Sequence, residues 1–351
     1  MIFIMPPRRS QNDTLTIRHV AKRVGVSPAT VSRVLNGYPF IREEVRQAVL
    51  TAIADLGYKP NRVAQRLRAT RSRLIGIVVT DITNPFFNTI MASIEKVFFE
   101  KGYSVLMSNT AADVQKELEY LDMMENEDVA GLVIAPTSEN VHRLVEMAEG
   151  GLPIVVIDRR LNGADANHID MVLADNQNGA REAVEHLIRL GHRNIGIIGG
   201  PQHLTSGRER LEGYYQAMEA AQLPVAREWV HLGDHRYDSG YDLMRRLLEC
   251  DPPVTAVFVG NNMMALGALH ALHEQGKRIP QDIAIVGFDD MPWSTSLNPP
   301  LTVVDQPTEA IGIQAAQLLL ERIANPELPV RSITLKTTLK VRQSCGSGLQ
   351  K

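Results

Sequence analysis

The chain has 351 residues, 44 % of them hydrophobic and 22 % charged, with a formal net charge of -3. This is more than one ordinary domain and enough to bury a sizeable core. Cys250 and Cys345 are its only cysteines, which supports neither a disulfide scaffold nor a cysteine metal cluster, and no uninterrupted apolar run is long enough to span a membrane.

Residues 1–13 read as a disordered tail carrying Pro6-Pro7, Arg8 and Arg9. Its apolar start, Met1 to Met5, is too short for a secretory signal and lacks the basic-then-apolar order, so a cytoplasmic location is expected. Beyond it, Ile17, Val20, Ala21 and Val24 fall at helical spacing and line one face of a short helix. Gly25 breaks that helix. Ser27 can cap a second one through Thr30, Val31 and Val34, which Asn36-Gly37 closes because both tolerate a left-handed backbone. Two short helices joined by a tight glycine-containing turn make a helix-turn-helix. A third helix from about Glu43 to Leu56, with Val45, Val49, Ile53 and Leu56 inward, completes an all-α domain over residues 14–60.

Charge is distributed unevenly. Residues 1–73 carry 14 Lys and Arg against 4 Asp and Glu, a formal +10, which leaves -13 on residues 74–351. A merely solvated face needs no such excess, so the amino-terminal domain reads as a phosphate-facing surface.

The run T-I-x-x-V-A-x-x-x-G-V-S-x-A-T-V-S-R-V-L-N at 16–36, followed by L-G-Y-x-P-N at 56–61, resembles the lactose/purine repressor family of bacterial transcription regulators. The resemblance extends from Thr14 to about Ser344. It implies that the second helix enters the major groove, with Pro28, Ala29, Ser32 and Arg33 facing base edges or nearby phosphates. Arg33 has the chemistry to bond guanine, Ser32 is less selective, and Ala29 can touch a thymine methyl. Pro28 suits a first helical turn, where its missing N–H costs little. Ser27 and Asn36 flank this helix and join the candidate DNA contacts. Thr30 is a candidate contact that also reads as core, and Thr16 reads as a cap or a phosphate contact.

Residues 61–73 form a hinge and linker. The segment from Asn61 to Ala69 is basic and helix-permissive, with Val63, Ala64 and Leu67 as its larger apolar positions; a helix this short is marginal alone. The resemblance implies that two such helices, one per protomer, enter the minor groove of double-stranded operator DNA. Asn61, Arg62 and Ala64 are then further candidate contacts, and Leu67 wedges between the central base pairs. Moving the two bodies apart costs the hinge pair its helix and, with it, the DNA. The alternative is a flexible linker with Leu67 packed on its own domain.

After Arg73 the pattern changes. Leu74 to Val79 reads as a buried strand, followed by a polar turn and a helix from about Phe87. Strands at 103–107, 132–135, 154–157 and 169–172 continue the beat, with a helix at 115–124. A helix at 175–190 leads into a strand at 195–198, and strands at 255–259 and 283–286 bracket a helix at 263–274. Strands separated by helical lengths give a mostly parallel sheet covered on both faces. The units are too many for one ordinary sheet, so residues 74–343 read as two α/β lobes. The first spans about 74–174 plus 306–332, the second about 175–304 plus 333–343. The family architecture, shared with periplasmic binding proteins of type I, implies that a helix at 308–323 returns to the first lobe and a strand at 333–341 to the second. Three crossings and a cleft result. Residues 344–351 read as a loose tail.

In open parallel sheets, ligands sit beyond the carboxyl ends of the strands. Asp158, Asn261-Asn262 and Asp289 each follow a strand, Asn84-Pro85-Phe86-Phe87 lies past the first one, and Arg208 and Arg210 open the helix after Ile198. Each amide or carboxylate is equally a helix-cap candidate; their convergence favours a ligand. By the resemblance, Asp158 and Asp289 bond effector hydroxyls, Arg210 grips the effector, Asn261 is a polar contact, and Phe87 forms part of an aromatic floor. Asn261-Asn262 replaces the family's usual Asn-Asp. His235 stands where relatives place a stacking ring, which hints at a polar effector. Leu204 replaces an effector-contacting arginine of the purine-binding member. The expected effector is a sugar, sugar acid or sugar phosphate. Arg208 beside Arg210 favours an anion, unless Arg208 pairs with a glutamate of its own helix.

An enzyme is the first rival reading. There is no G-x-G-x-x-G after the first strand and no G-x-x-x-x-G-K-S/T anywhere, Ser206 lacks a histidine-carboxylate partnership, and His270/His273 lack a third metal ligand. No catalytic residue, metal or cofactor is assigned. A transport-type sugar-binding protein suits the lobes but has no use for residues 14–70. A homodimer is expected, because one helix-turn-helix offers a small contact area and the family reads near-palindromic sites. The helices around 86–99 and 118–124 are its candidate surface. No leucine heptad near the carboxyl end supports a coiled-coil tetramer. Repression is the expected outcome.

Overall fold

The structure, a computed structural model, describes residues 16–35, 38, 40–56, 72–138, 141–161, 163 and 167–347. The expected amino-terminal tail, Asn36-Gly37, the hinge segment with Asn61, Arg62, Ala64 and Leu67, and residues 348–351 lie outside them. The chain divides into two units between Ser72 and Arg73.

The first unit contains α1 (Ile17–Val24), α2 (Pro28–Leu35) and α3 (Glu43–Leu56). Gly25 closes α1 in the left-handed region, at φ 75°, and returns its N–H to the Ala21 carbonyl at 3.0 Å. Val20, Ala21, Val31, Val34, Val49 and Ala52 are buried together, with Val45, Ile53 and Leu56 against them. The three-helix core therefore uses the inward positions that helical spacing picks out, with Ala52 added.

The second unit begins with β1 (Leu74–Val79), α4 (Pro85–Glu100), β2 (Ser104–Asn109), α5 (Val114–Asn126), β3 (Gly131–Ile134), α6 (His142–Glu149), β4 (Ile154–Ile157) and β5 (Asp170–Ala174). It continues with α7 (Asn176–Arg189), β6 (Ile195–Gly199), α8 (Thr205–Ala220), β7 (Val230–Leu232), α9 (Tyr237–Leu248), β8 (Ala256–Val259), α10 (Asn262–Glu274), β9 (Ala284–Phe288) and β10 (Thr302–Asp305). Last come α11 (Thr308–Ala324), β11 (Ser332–Leu335) and β12 (Thr338–Lys340).

Two sheets result, ordered β11-β5-β4-β3-β1-β2 and β12-β10-β9-β8-β6-β7. Within each the pairs are parallel, apart from the antiparallel pair of β10 and β12. The two lobes repeat one doubly wound order, so each has its strand-order reversal beside its first strand, β1 or β6, where such sheets hold ligands. Strands β3, β4, β8 and β9 are buried throughout, as expected for strands with helices on both faces. Helices α9 and α10 approach closely through glycine: a Cβ on Gly267 would lie 2.0 Å from the Tyr237 carbonyl oxygen.

The chain passes between lobes after β5, after β10 and after β11. One expectation is corrected here. The segment 333–341 is not one strand of the second lobe: β11 pairs with β5 in the first sheet and β12 with β10 in the second. The crossing falls at Lys336-Thr337, and the Thr337 hydroxyl donates to the Asp175 carbonyl at 3.3 Å, tying this crossing to the one after β5. The first lobe thus takes residues through Leu335. The returning α11 and β11 are anchored on buried Asp170, which holds Arg322 at 2.7 Å and Arg331 at 3.0 Å. Among the described residues, no helix is long and apolar enough to cross a membrane.

Candidate nucleic-acid interface and interlobe cleft

In the first unit, Ser27 caps α2: its Oγ accepts the Thr30 N–H at 3.1 Å and lies 2.9 Å from Thr30 Oγ1. Thr30 is half-buried, so its hydroxyl serves the cap. Thr16 caps α1, its N–H donating to His19 Nδ1 at 3.1 Å and its Oγ1 lying 2.9 Å from the same nitrogen. Pro28, Ala29 and Arg33 are exposed and Ser32 half-buried, while Val31 and Val34 turn into the core. Arg33 lies 5.9 Å from the Tyr38 ring centroid, and Tyr38 meets Phe40 edge-on at 6.2 Å. Both aromatic rings are exposed. Residue spacing does not flag them, because two aromatics after a turn read equally well as core.

The cleft is built from strand ends. Asp158 follows β4 and Asp289 follows β9, both buried and both in left-handed backbone, at φ 65° and 74°. Short polar side chains tolerate that conformation better than most. Arg210, only 3 % exposed, rises from α8. Its Nε donates to Asn176 Oδ1 at 2.9 Å and its Nη1 to the Gly260 carbonyl at 2.7 Å, with the guanidinium 3.9 Å above the Phe288 ring. His235, also left-handed at φ 68°, presses Nε2 against Gly200: a Cβ there would lie 2.0 Å from that nitrogen.

These groups feel one another. Burial, with Arg210 and Arg159 close by, holds His235 well below the ordinary histidine range, so its ring is neutral. Burial raises the Asp289 carboxyl against the opposing pull of Arg210 and a 2.5 Å hydrogen bond from Gln306 Nε2. Glu117, buried behind the first lobe's strand ends, is likewise raised by burial while it accepts the Thr137 N–H at 2.6 Å.

The lobes meet through polar bonds. Asn262 Nδ2 donates to Asn84 Oδ1 at 2.7 Å, the Arg160 N–H to Thr205 Oγ1 at 2.8 Å, and Arg160 Nε to Glu209 Oε1 at 3.1 Å.

Of the residues singled out in sequence, Asp158, Arg210, His235 and Asp289 come together. Asn261 borders them, but both ends of its amide are engaged: Oδ1 caps α10 on the Met264 N–H at 2.9 Å, and Nδ2 holds the His235 carbonyl at 3.0 Å. It shapes the wall. Phe87 packs in the first-lobe core against Phe86 at 5.0 Å. Arg208 does not join the cluster; its Nη1 donates to the Gln202 carbonyl at 3.1 Å. Arg159 is buried beside Asp158, a placement that residue order does not signal because arginine is seldom buried. His270 is engaged by the Tyr237 hydroxyl, and among the described residues there is no group of three or more metal-ligating side chains.

A family profile described as "Bacterial regulatory proteins, lacI family" matches residues 16–61, and one described as a periplasmic binding protein-like domain matches residues 184–345. The chain is 38 % identical over 335 residues to HTH-type transcriptional repressor PurR of Klebsiella pneumoniae subsp. pneumoniae, an alignment covering 95 % of this chain and 97 % of that protein. The chain belongs to the lacI family of bacterial regulatory proteins. This lacI-family chain is also 37 % identical to PurR of Proteus mirabilis, over 95 % of its length and 97 % of that protein's. Among solved structures it resembles the transcriptional regulator CelR in complex with cellobiose, at 34 % identity and TM-score 0.72, covering 94 % of this chain and 99 % of that one. It also resembles the lac repressor dimer bound to operator and the anti-inducer ONPF, at 30 % identity and TM-score 0.82, covering 95 % and 99 %. As a member of this family it is a transcriptional regulator and not an enzyme.

Proposed function

We propose that this lacI-family regulator is a cytoplasmic repressor that binds a near-palindromic operator as a homodimer, with a sugar, sugar acid or sugar phosphate in the interlobe cleft setting its affinity for DNA. The observation that carries the effector reading is the convergence of Asp158, Arg210, His235 and Asp289 from both lobes onto one mouth. Polar groups that two lobes bring together change their spacing when the lobes move, so a ligand bridging them favours one arrangement over the other. The likeness to regulators solved with cellobiose and with ribose supports a carbohydrate effector. Leu204, buried at the start of α8, brings no polar group there, which weighs against a purine base.

For the dimer, the first lobe keeps Phe99 of α4 74 % exposed and Leu118 of α5 38 % exposed, while Phe86, Phe98, Leu121 and Met124 are spent on the core. Exposed large apolar side chains on one lobe suit an isologous contact. The likeness to a repressor dimer on its operator supports the same assembly.

Selection of genomic fragments by the full-length protein tests this reading, with a chain starting at Leu74 as the control. Recovery of a short inverted repeat upstream of carbohydrate genes is the expected result. Enrichment equal to that of the control, with and without pooled metabolites, would leave a sugar-binding protein without a DNA role.

A further inference from the structure

We propose that Tyr38 is a positioning residue for DNA reading: its ring holds the Arg33 guanidinium in place for a guanine while leaving the N–H donors of that side chain free. The inference rests on the reading of Arg33 as a base contact and adds to it the residue that orients the side chain.

The placement begins with the backbone. The Tyr38 N–H donates to the Arg33 carbonyl at 3.0 Å. A 6→1 bond of this kind belongs to a Schellman turn, which brings the residue after the turn against the third residue from the helix end. Because α2 ends at Leu35, those two residues are Tyr38 and Arg33. The other backbone group of Tyr38 is fastened to α3. Arg46 Nη2 donates to the Tyr38 carbonyl at 2.8 Å, and Arg46 Nε lies 3.5 Å from Glu43 Oε2. One residue is thus tied to two helices of the same core. Its ring is held there without being buried, since Tyr38 is 52 % exposed, and Phe40 supports it edge-on at 6.2 Å.

Arg33 Cζ lies 5.9 Å from the Tyr38 ring centroid, inside the range of about 6 Å over which a ring face attracts a guanidinium. Among the described residues, Arg33 has no carboxylate partner. That difference matters for base reading. A carboxylate would hold the arginine but occupy the paired N–H groups that guanine O6 and N7 accept. A ring face attracts the cation and takes none of its five donors. A side chain already held in its bound direction also loses less freedom on binding. The turn itself does not call for an aromatic residue: the backbone bond to Arg33 is open to any residue except proline. The exposed ring therefore acts on its neighbour and not on the fold.

The probe for the test is the inverted repeat that the full-length chain selects from randomised duplexes. Fluorescence anisotropy at one fixed salt concentration compares that duplex with one altered in both half-sites. The alteration changes to adenine–thymine the guanine–cytosine pair whose exchange Arg33→Ala tolerates. Tyr38→Leu is expected to weaken the selected duplex by about 3-fold per half-site, hence about 10-fold for a dimer, and to shrink the preference over the altered duplex as far. Tyr38→Phe keeps the ring and is expected to keep the preference. In the Arg33→Ala background, Tyr38→Leu is expected to change affinity by less than about 2-fold, because no guanidinium is left to place. Tyr38→Lys keeps the backbone bonds and sets a like charge beside Arg33, so it is expected to shrink the preference at least as far. It carries the test if Tyr38→Leu lacks a cooperative melt. An undiminished preference in Tyr38→Leu or Tyr38→Lys, a preference in Tyr38→Phe as low as in Tyr38→Leu, or an equal loss of affinity with and without Arg33 overturns the inference. Absence of a selected repeat, or of a guanine pair read by Arg33, shows separately with Tyr38 intact; it defeats the base-contact reading and this inference with it.

Discussion

Asn262 of the second lobe donates its amide to Asn84 of the first at 2.7 Å, between two buried side chains 178 positions apart in sequence. Asn84 Oδ1 also accepts the Phe86 N–H at 3.0 Å, so the carbonyl that caps α4 is the one that holds the facing lobe. Asn262→Asp would set an ionised acceptor against an acceptor. A buried polar group left without a donor costs about 1–3 kcal/mol. The substitution is expected to lower the thermal midpoint of the unliganded chain at pH 7. An aspartate there has its folded pKa raised above the unfolded value, so the penalty grows as pH rises and fades on acidification, when the protonated carboxyl donates again. An unchanged midpoint at pH 7 would mean that the amide bond does not hold the lobes together.

Ser27 has two candidate roles, cap and DNA contact, and a pair of substitutions separates them. Ser27→Ala removes the acceptor for the Thr30 N–H and is expected to cost about 1 kcal/mol of local stability, read as faster amide exchange in the first turn of α2. Ser27→Asp keeps an acceptor and adds negative charge at an exposed position. It is expected to preserve exchange protection yet bind operator more weakly than Ser27→Ala. Wild-type affinity for Ser27→Asp would take Ser27 off the phosphate-facing surface.

Arg33 and Leu67 are expected to fail differently. Arg33→Ala should compress the gap between operator and unrelated DNA, since a guanine contact is worth roughly 1–3 kcal/mol of discrimination. Leu67→Ala should weaken the operator complex with little loss on unrelated DNA, because only the kinked site uses a wedge. Gel shifts at one fixed salt concentration compare the two variants. Full operator affinity in Leu67→Ala would defeat the wedge.

Much of this architecture is legible in residue order, because apolar period and turn residues are local signals. The strand I-V-V-I before Asp158 and the spacing of Val20, Val31 and Val49 are of that kind. The split between β11 and β12 is not. S-I-T-L-K-T-T-L-K alternates without glycine or proline, and only pairing with β5 and then β10 reveals where it leaves one sheet for the other. Arg159 escapes for a related reason. Arginine is seldom buried, and only Pro136 and Thr80, brought in from neighbouring strand ends, show that this one is. Asn261 illustrates the opposite difficulty: an amide after a strand suits a ligand or a cap, and three-dimensional partners alone assign it to α10.

Asp289 is held in place at a cost to the unliganded protein. Burial outweighs the help from Arg210 and Gln306 and raises its carboxyl pKa, so the unfolded chain ionises first as pH rises. Stability is therefore lost from the unfolded carboxylate range upward through the folded value, and the penalty is complete above it. Asp289→Asn is expected to raise the thermal midpoint at pH 7 and to weaken binding of whichever probe the wild type takes, a common trade at binding sites. A lower midpoint would show that the ion pairing with Arg210 dominates burial.

His235 acts with the opposite sign. Burial first, then Arg210 and Arg159, hold its pKa far below that of an unfolded histidine, so on acidification the unfolded chain takes up the proton first. The stability that the neutral ring permits is present above the unfolded value of about 6.5 and is lost as pH falls from there through the folded value. His192 and His231, both lowered chiefly by burial, add to the same limb. His235→Gln cannot take up the proton, so urea midpoints for it should fall less between pH 7.5 and pH 5 than those of the wild type. The slope that remains belongs to the other two histidines, to the Cys345 thiol, lowered to about 7, and to the opposing gains at Asp289 and Glu117, of which the Asp289→Asn variant removes the first. If the two chains lose stability in parallel over this range, then water reaches the His235 ring and the cleft is open in the unliganded protein.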